Sequence, residues 1–177
     1  AEDFVAGTPA AGYELTAVEL AEDSVPVAAR QEVLDAISVL TTDSPLNIEG
    51  AAEDVTGYVR LKKLTGIENT LPTEISVTAR ISEKQIECTL RRLPIQTDGL
   101  ADDMTAALST SSTTAQFTGG YSFIEALNAS DVHLFVDVSG LEAGTYTLPV
   151  QVHIDNAPEF TCALGSPEVT VTLRAKP

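Results

Sequence analysis

Apolar and polar residues alternate along much of the chain, and the clearest run is residues 132–138. The valines and Leu134 fall on one side of a period of two, and His133, Phe135 and Asp137 fall on the other. This pattern predicts a β-strand with one buried face. Similar alternation marks five further segments, 55–61, 74–80, 85–90, 146–154 and 168–174. Because turn residues separate these segments, the sequence predicts a mainly β protein.

The pattern also repeats within the chain. At an offset of 90, residues 33–37 fall on 123–127 and residues 46–50 fall on 136–140. At an offset of 91, Val55, Val59 and Leu61 fall on Tyr146, Val150 and Val152. At an offset of 94, Glu-Ile-Ser-Val-Thr-Ala-Arg (74–80) falls on Glu-Val-Thr-Val-Thr-Leu-Arg (168–174). Self-similarity of this kind is the signature of repeated structural units.

Residues 33–37 and 123–127 are apolar at their first, second and fifth positions, which is typical of a single helical turn. Each unit is therefore predicted to run as strand, helical turn, strand, glycine turn, strand, loop and strand. The expected architecture is two tandem small irregular β domains, residues 1–82 and 83–177, each with one short helical turn.

The first unit is the less complete of the two. The second opens with the strand segment 85–90 followed by Leu93-Pro94-Ile95, whereas only residues 4–9 stand at that place in the first. We expect this chain to be cut from a longer protein with more material before Ala1.

The charge of the chain narrows the possible partners. A net charge of −16 argues against a nucleic-acid partner, since phosphates require a basic surface. Residues 58–92 nevertheless hold seven of the ten Lys and Arg residues. Solvated side chains that protect sheet edges are one explanation. A docking patch for an acidic partner is the other, and Arg60, Lys62 and Lys63 are then the candidate contact residues.

Residues able to carry chemistry are few. His133 and His153 are predicted to share a sheet face with Asp137 and Asp155, so a metal site there is possible in principle, although solvated side chains are the ordinary explanation. Acidic pairs such as Asp102-Asp103 fall in polar turns. We assign no catalytic, cofactor-binding or metal residue and expect no enzyme activity and no cofactor.

The two cysteines, Cys88 and Cys162, lie far apart in sequence and form no CxxC motif. A disulfide between them is possible, but two buried free thiols are favoured.

Two motifs of the second unit point to a known family. The first is the turn Asp137-Val138-Ser139-Gly140-Leu141-Glu142-Ala143-Gly144, and the second is the strand Pro167-Glu168-Val169-Thr170-Val171. With both motifs present, the second unit resembles a YbbR-like domain and carries nearly the whole pattern of that family. The first unit resembles it in a degenerate form, because Asn47-Ile48-Glu49-Gly50-Ala51 replaces the turn and Thr73-Glu74-Ile75 lacks the proline.

The resemblance implies a function that the composition does not. YbbR-like domains belong to a largely Gram-positive bacterial family with an N-terminal membrane anchor and repeated domains outside the cell. Its best-known members associate with a membrane-bound diadenylate cyclase and regulate its output of cyclic di-AMP. The implied role is a non-enzymatic, extracytoplasmic protein-binding module, soluble as a fragment, whose parent protein is anchored by a span outside this sequence. The alternative is a cell-surface adhesin or glycan-binding β-repeat protein.

Overall fold

The computed structural model of the chain describes residues 2–22, 24–35, 41–62, 67–70 and 73–176. The chain divides into two units, Ala1–Lys84 and Gln85–Pro177. A 3-10 helix, Glu2–Phe4, opens the first unit, and a one-turn helix, α1 (Gln31–Leu34), lies within it. The strands of the first unit are β1 (Val5–Ala6), β2 (Tyr13–Leu20), β3 (Val27–Ala29), β4 (Leu46–Asn47), β5 (Val55–Arg60), β6 (Ile67–Thr70) and β7 (Glu74–Glu83).

The second unit has the same kind of structure, so both units are mainly β, as predicted. Its one helix in the described residues is α2 (Tyr121–Ala126), at the predicted helical turn. Its strands are β8 (Gln85–Asp98), β9 (Met104–Leu108), β10 (Ser112–Gly120), β11 (Val132–Asp137), β12 (Gly144–Pro149), β13 (Gln151–Ile154), β14 (Phe160–Leu164) and β15 (Glu168–Ala175).

Two sheets form the second unit. The larger has the strand order β13-β11-β8-β10-β14, and the smaller has the order β12-β15-β9. Strand β8 is antiparallel to β10 on one side and parallel to β11 on the other. One hydrophobic cluster contains the buried residues of both sheets, and its largest fully buried side chains are Leu93, Phe117, Leu134, Val136 and Val171.

Strand β8 changes its inward-facing positions midway. The half-buried residues are Ile86, Cys88 and Leu90 in its first part, and the buried ones are Leu93 and Ile95 in its second part. A shift of one residue along a regular strand normally moves all of its apolar side chains to the opposite face of the sheet. Here an irregularity in the register with β10, between Thr113 and Ala115, absorbs the shift as a β-bulge. Both halves of the strand therefore direct their apolar residues to the core.

The predicted strand 146–154 is in fact two strands in different sheets. Strand β12 pairs with β15, and after Val150 the chain continues as β13, which pairs with β11. The registers also correct the sequence alignment. Val59 lies opposite Ile75 and Leu148 lies opposite Val169, so Leu148, not Val150, is the counterpart of Val59. The sequence did not reveal this because both choices preserve the period of two.

The repeat is visible in the parallel pairing of each unit. Strand β1 pairs with β4 so that Ala6 lies opposite Asn47, and β8 pairs with β11 so that Asp98 lies opposite Asp137. The first unit thus has two residues, Val5 and Ala6, at the place where the second has the end of a 14-residue strand. Residues 36–40, which include part of the predicted helical turn, lie outside the described residues.

The same turn follows this pairing in both units. In the first, the Glu49 N–H donates to Oδ1 of Asn47 at 3.0 Å. In the second, the Ser139 N–H donates to Oδ1 of Asp137 at 2.9 Å. An amide oxygen replaces a carboxylate oxygen without any loss of the bond, because only an acceptor is needed there. The motif of the first unit therefore differs in letters but keeps its geometry.

Glycines occupy the left-handed positions of these turns. Gly50 has φ of +68° and Gly140 has φ of +69°, and a Cβ atom at either would meet nothing within 4 Å. Gly99 also has a positive φ, +71°, but its Cβ would lie 2.6 Å from the Ser139 Cβ. Close approach of two backbone segments, in addition to φ, thus requires glycine at position 99.

Gly99→Ala and Gly140→Ala separate these two requirements, because their φ values are nearly equal. Gly140→Ala is expected to lower the free energy of unfolding by about 1 kcal/mol, the usual cost of a left-handed non-glycine residue. Gly99→Ala is expected to cost about 1–3 kcal/mol more, because Ser139 has to move. Urea unfolding of both variants measures the difference, and equal losses would contradict the steric explanation.

The cysteines lie on opposite sides of β10. Cys88 on β8 and Cys162 on β14 are both paired with Phe117, which places them two strands apart. Two strand spacings are about 10 Å, and a disulfide needs Cα atoms closer than about 7 Å. Both thiols are free, as favoured from the sequence, although they are half-buried. Partial burial raises the pKa of the Cys162 thiol.

Candidate protein-binding surface

The candidate contact residues Arg60 and Lys62 lie at the end of β5 and just beyond it, and both are exposed. Each has an acidic neighbour. The Arg60 guanidinium lies 3.0 Å from Oε1 of Glu74 on β7, and Lys62 Nζ lies 3.7 Å from Oδ1 of Asp43. Lys63 lies outside the described residues. The two described members of this patch are therefore partly neutralised within their own unit.

Arg80 on β7 is neutralised twice. Its guanidinium donates to Oε2 of Glu19 on β2 and to Oδ2 of Asp54 next to β5, both at 2.7 Å. The N–H of Ile81 donates to the other oxygen of Asp54 at 2.8 Å. This cluster joins the three strands β2, β7 and β5 across the solvent-facing side of their sheet. It is a structural feature, and it leaves no unpaired positive charge for an acidic partner.

The hydrogen bonds of this cluster change the acidity of both carboxyls. Donation from Arg80 is the main reason why the pKa values of Glu19 and Asp54 lie below their usual range. For Asp54 the bond from the Ile81 N–H lowers the pKa further. The pKa of Arg80 is raised, chiefly by its hydrogen bond to Glu19.

Arg91 and Arg92 are the other exposed arginines of the basic segment, and neither has an acidic partner among the described residues. They occupy the bulge of β8, and Arg92 has φ of +58°. The sequence grouped them with the other basic residues without singling them out. One signal was available, since the apolar positions Leu90 and Leu93 are three residues apart and break the period of two.

The two histidines meet as the strand pattern predicted. His133 on β11 lies directly opposite His153 on β13, and both are exposed. His153 Nε2 is 3.0 Å from Oδ1 of Asp155. Asp137 instead accepts hydrogen bonds from the hydroxyl and N–H of Ser139, which lower its pKa. Among the described residues, no group of three or more His, Cys, Asp and Glu side chains is placed to hold a metal ion.

Arg80→Met tests the role of the Arg80 cluster through pH. A lowered carboxyl pKa contributes stability above the unfolded value of about 4, and this contribution is lost as pH falls through the folded value. Without Arg80, the first unit is expected to lose less stability between neutral and acidic pH than the wild type does.

Urea midpoints at both pH values measure this effect, and Arg60→Met is the matched control because Arg60 pairs with the single carboxylate of Glu74. An acid sensitivity of Arg80→Met equal to that of the wild type would show that the cluster does not act in this way.

The first unit matches a known protein family. Residues 4–79 match the family model described as YbbR-like protein. The match falls on the first unit, whose turn motif is the more divergent of the two in sequence but makes the same hydrogen bond. No curated protein matches the chain.

Two solved structures are similar. The YbbR-like domain of the lmo2119 protein from Listeria monocytogenes has 16% identity and a TM-score of 0.48, covering 51% of this chain and 95% of that one. A YbbR-like protein from Streptococcus pneumoniae TIGR4 has 10% identity and a TM-score of 0.35, covering 97% of this chain and 92% of that one. On the match of residues 4–79, the first unit belongs to the YbbR-like domain family.

Proposed function

We propose that the chain is a non-enzymatic, extracytoplasmic protein-binding module of a membrane-anchored protein that regulates a diadenylate cyclase. The match of residues 4–79 to the YbbR-like family model is the observation that carries this proposal. The cyclase and the location outside the cell come from the resemblance stated above. The longest helix in the described part of the chain, α2, has six residues, far fewer than a membrane span requires.

The edges of the second unit's sheets support binding by strand addition. Within this unit, β14 (Phe-Thr-Cys-Ala-Leu) pairs on one side with β10, and β9 (Met-Thr-Ala-Ala-Leu) pairs on one side with β15. Neither strand contains a charged residue or a proline, the usual means of protecting an edge. An extended segment of a partner could therefore add its main-chain hydrogen bonds to either edge.

The positions of the titratable side chains also support a binding role over a catalytic one. Each titratable cluster described above is either paired within the fold or open to solvent, so none of them forms an enclosed acid–base site. A regulator of this class would act by binding one conformation of the cyclase more tightly than another.

A pull-down from Gram-positive bacterial membranes, with this chain as bait and mass spectrometry as the readout, tests the proposal. Recovery of a diadenylate cyclase is expected. Ala163→Lys, on the exposed face of edge strand β14, is expected to reduce recovery several-fold, because a lysine on an edge strand opposes pairing.

Two controls define the contact. Gln116→Lys places the same charge at an exposed position of β10 that is paired with Thr89 on one side and Ala163 on the other, and is expected to leave recovery unchanged. Joint charge reversal of Arg60, Lys62 and Lys63 tests the basic patch predicted from the sequence.

Recovery of cell-wall glycan without a cyclase would overturn the proposal in favour of an adhesin.

A further inference from the structure

A polar groove of about 330 Å³ lies on the second unit, beside the bulge of β8. Its lining residues are Arg92, Ser112, Thr113, Thr114, Gly165 and Ser166. One is an arginine, four carry hydroxyl groups, and none is acidic. Such a lining is unusual for a chain with 26 acidic residues. A guanidinium beside several hydroxyl donors is the chemistry that recognises an anionic oxygen pair.

The backbone at Arg92 adds to this observation. The bulge itself has a structural purpose, because it keeps both halves of β8 facing the core. That purpose does not require arginine, since glycine or asparagine adopts φ of +58° more easily. A bulge also redirects the side chains that it carries, and this one directs Arg92 to the groove.

The opposite wall is held in place by hydrogen bonds. Thr113 is the one buried polar residue in the described part of the chain, with 7% of its surface exposed. Its hydroxyl accepts the N–H of Ser166 at 2.9 Å, and the Gly165 N–H donates to the Thr114 carbonyl at 2.8 Å. The segment after β14 is thereby fixed against β10. Within the described part of the chain, the side-chain hydroxyls of Ser112, Thr114 and Ser166 have no hydrogen-bond partner, so a ligand can use them.

Two of the unpaired positive charges of the basic segment lie here. Arg60, Lys62 and Arg80 each have a carboxylate neighbour, whereas Lys84, Arg91 and Arg92 have none among the described residues. Of these three, Arg92 is the one that lines the groove. The bulge of β8 is therefore a second candidate site for an acidic partner, beside the patch predicted at Arg60, Lys62 and Lys63.

We infer that this groove, named here the Arg92 groove and defined by its six lining residues, binds a carboxylate side chain of an acidic protein segment. The guanidinium of Arg92 pairs with the carboxylate, the groove hydroxyls donate to it, and Arg91 adds attraction from the adjacent position. This inference rests on the proposed protein-binding function and names the chemistry of one contact.

Amide chemical shifts of the ¹⁵N-labelled full chain, titrated with a hexaglutamate peptide at physiological salt, test the inference, because the salt screens the repulsion from the net charge of −16. The amides of Arg92, Thr114 and Ser166 are expected to shift together. Arg92→Asn keeps a residue that tolerates a positive φ but removes the charge. It is expected to weaken peptide binding about tenfold or more, the usual effect of losing a charged hydrogen bond.

Arg60→Asn is the matched control, because it removes the same charge at an already paired position and is expected to leave the affinity unchanged. Shifts confined to residues around Lys62, or no shifts at millimolar peptide, would overturn the inference. Equal shifts with inorganic phosphate at the same concentration would also overturn it, since the groove would then select small anions in general.

This titration does not depend on the identity of the partner. If hexaglutamate binds the groove but membranes yield no cyclase, the contact stands and the proposed partner fails. If a cyclase is recovered equally by the wild type and Arg92→Asn, the proposed function stands and the groove is not its contact.

Discussion

The architecture of the second unit depends on one strand having two neighbours with opposite directions. Strand β8 pairs antiparallel with β10 and parallel with β11. It therefore joins the pair β13-β11 and the pair β10-β14 into one five-stranded sheet. A straight 14-residue strand could not do this with a single buried face, because Leu90 and Leu93 would point in opposite directions. The bulge at Arg91 and Arg92 removes that conflict. The core around Phe117 and the groove beside Arg92 are thus consequences of the same irregularity.

The first unit folds without a long strand in the position of β8. Its described residues have only Val5 and Ala6 at the corresponding place, yet the parallel pairing and the following turn keep the same register. Phe4 compensates in part, since it is buried against Val59 and Val77. The sheet of β2, β7 and β5 receives its own cross-link from Arg80, which contacts a carboxylate on each side. Packing and surface charge therefore stabilise a unit in which β1, the counterpart of β8, has only two residues.

The sequence predicted the fold class, the helical turn at α2 and the alternation of β11, because each depends on local periodicity. It did not predict the change of sheet at Val150, since both strands continue one alternating run. The sequence also did not predict strands β9 and β14. Each has only five residues and no charged side chain, so the difference between its buried and exposed positions is weak. The basic patch shows a different limit. Net charge is readable from residue types, but the pairing of Arg60 with Glu74 depends on a strand register that only the structure supplies.

Charge pairing also bears on how an acidic chain can bind an acidic partner at all. Long-range repulsion from a net charge of −16 opposes such an encounter, although physiological salt screens it beyond about 8 Å. Binding then depends on contacts closer than that distance. A single unpaired guanidinium in a groove without carboxylates meets this condition better than a larger patch whose lysine and arginine already face Asp43 and Glu74. The distribution of partners among the basic residues, more than their number, determines where this surface can recognise an acid.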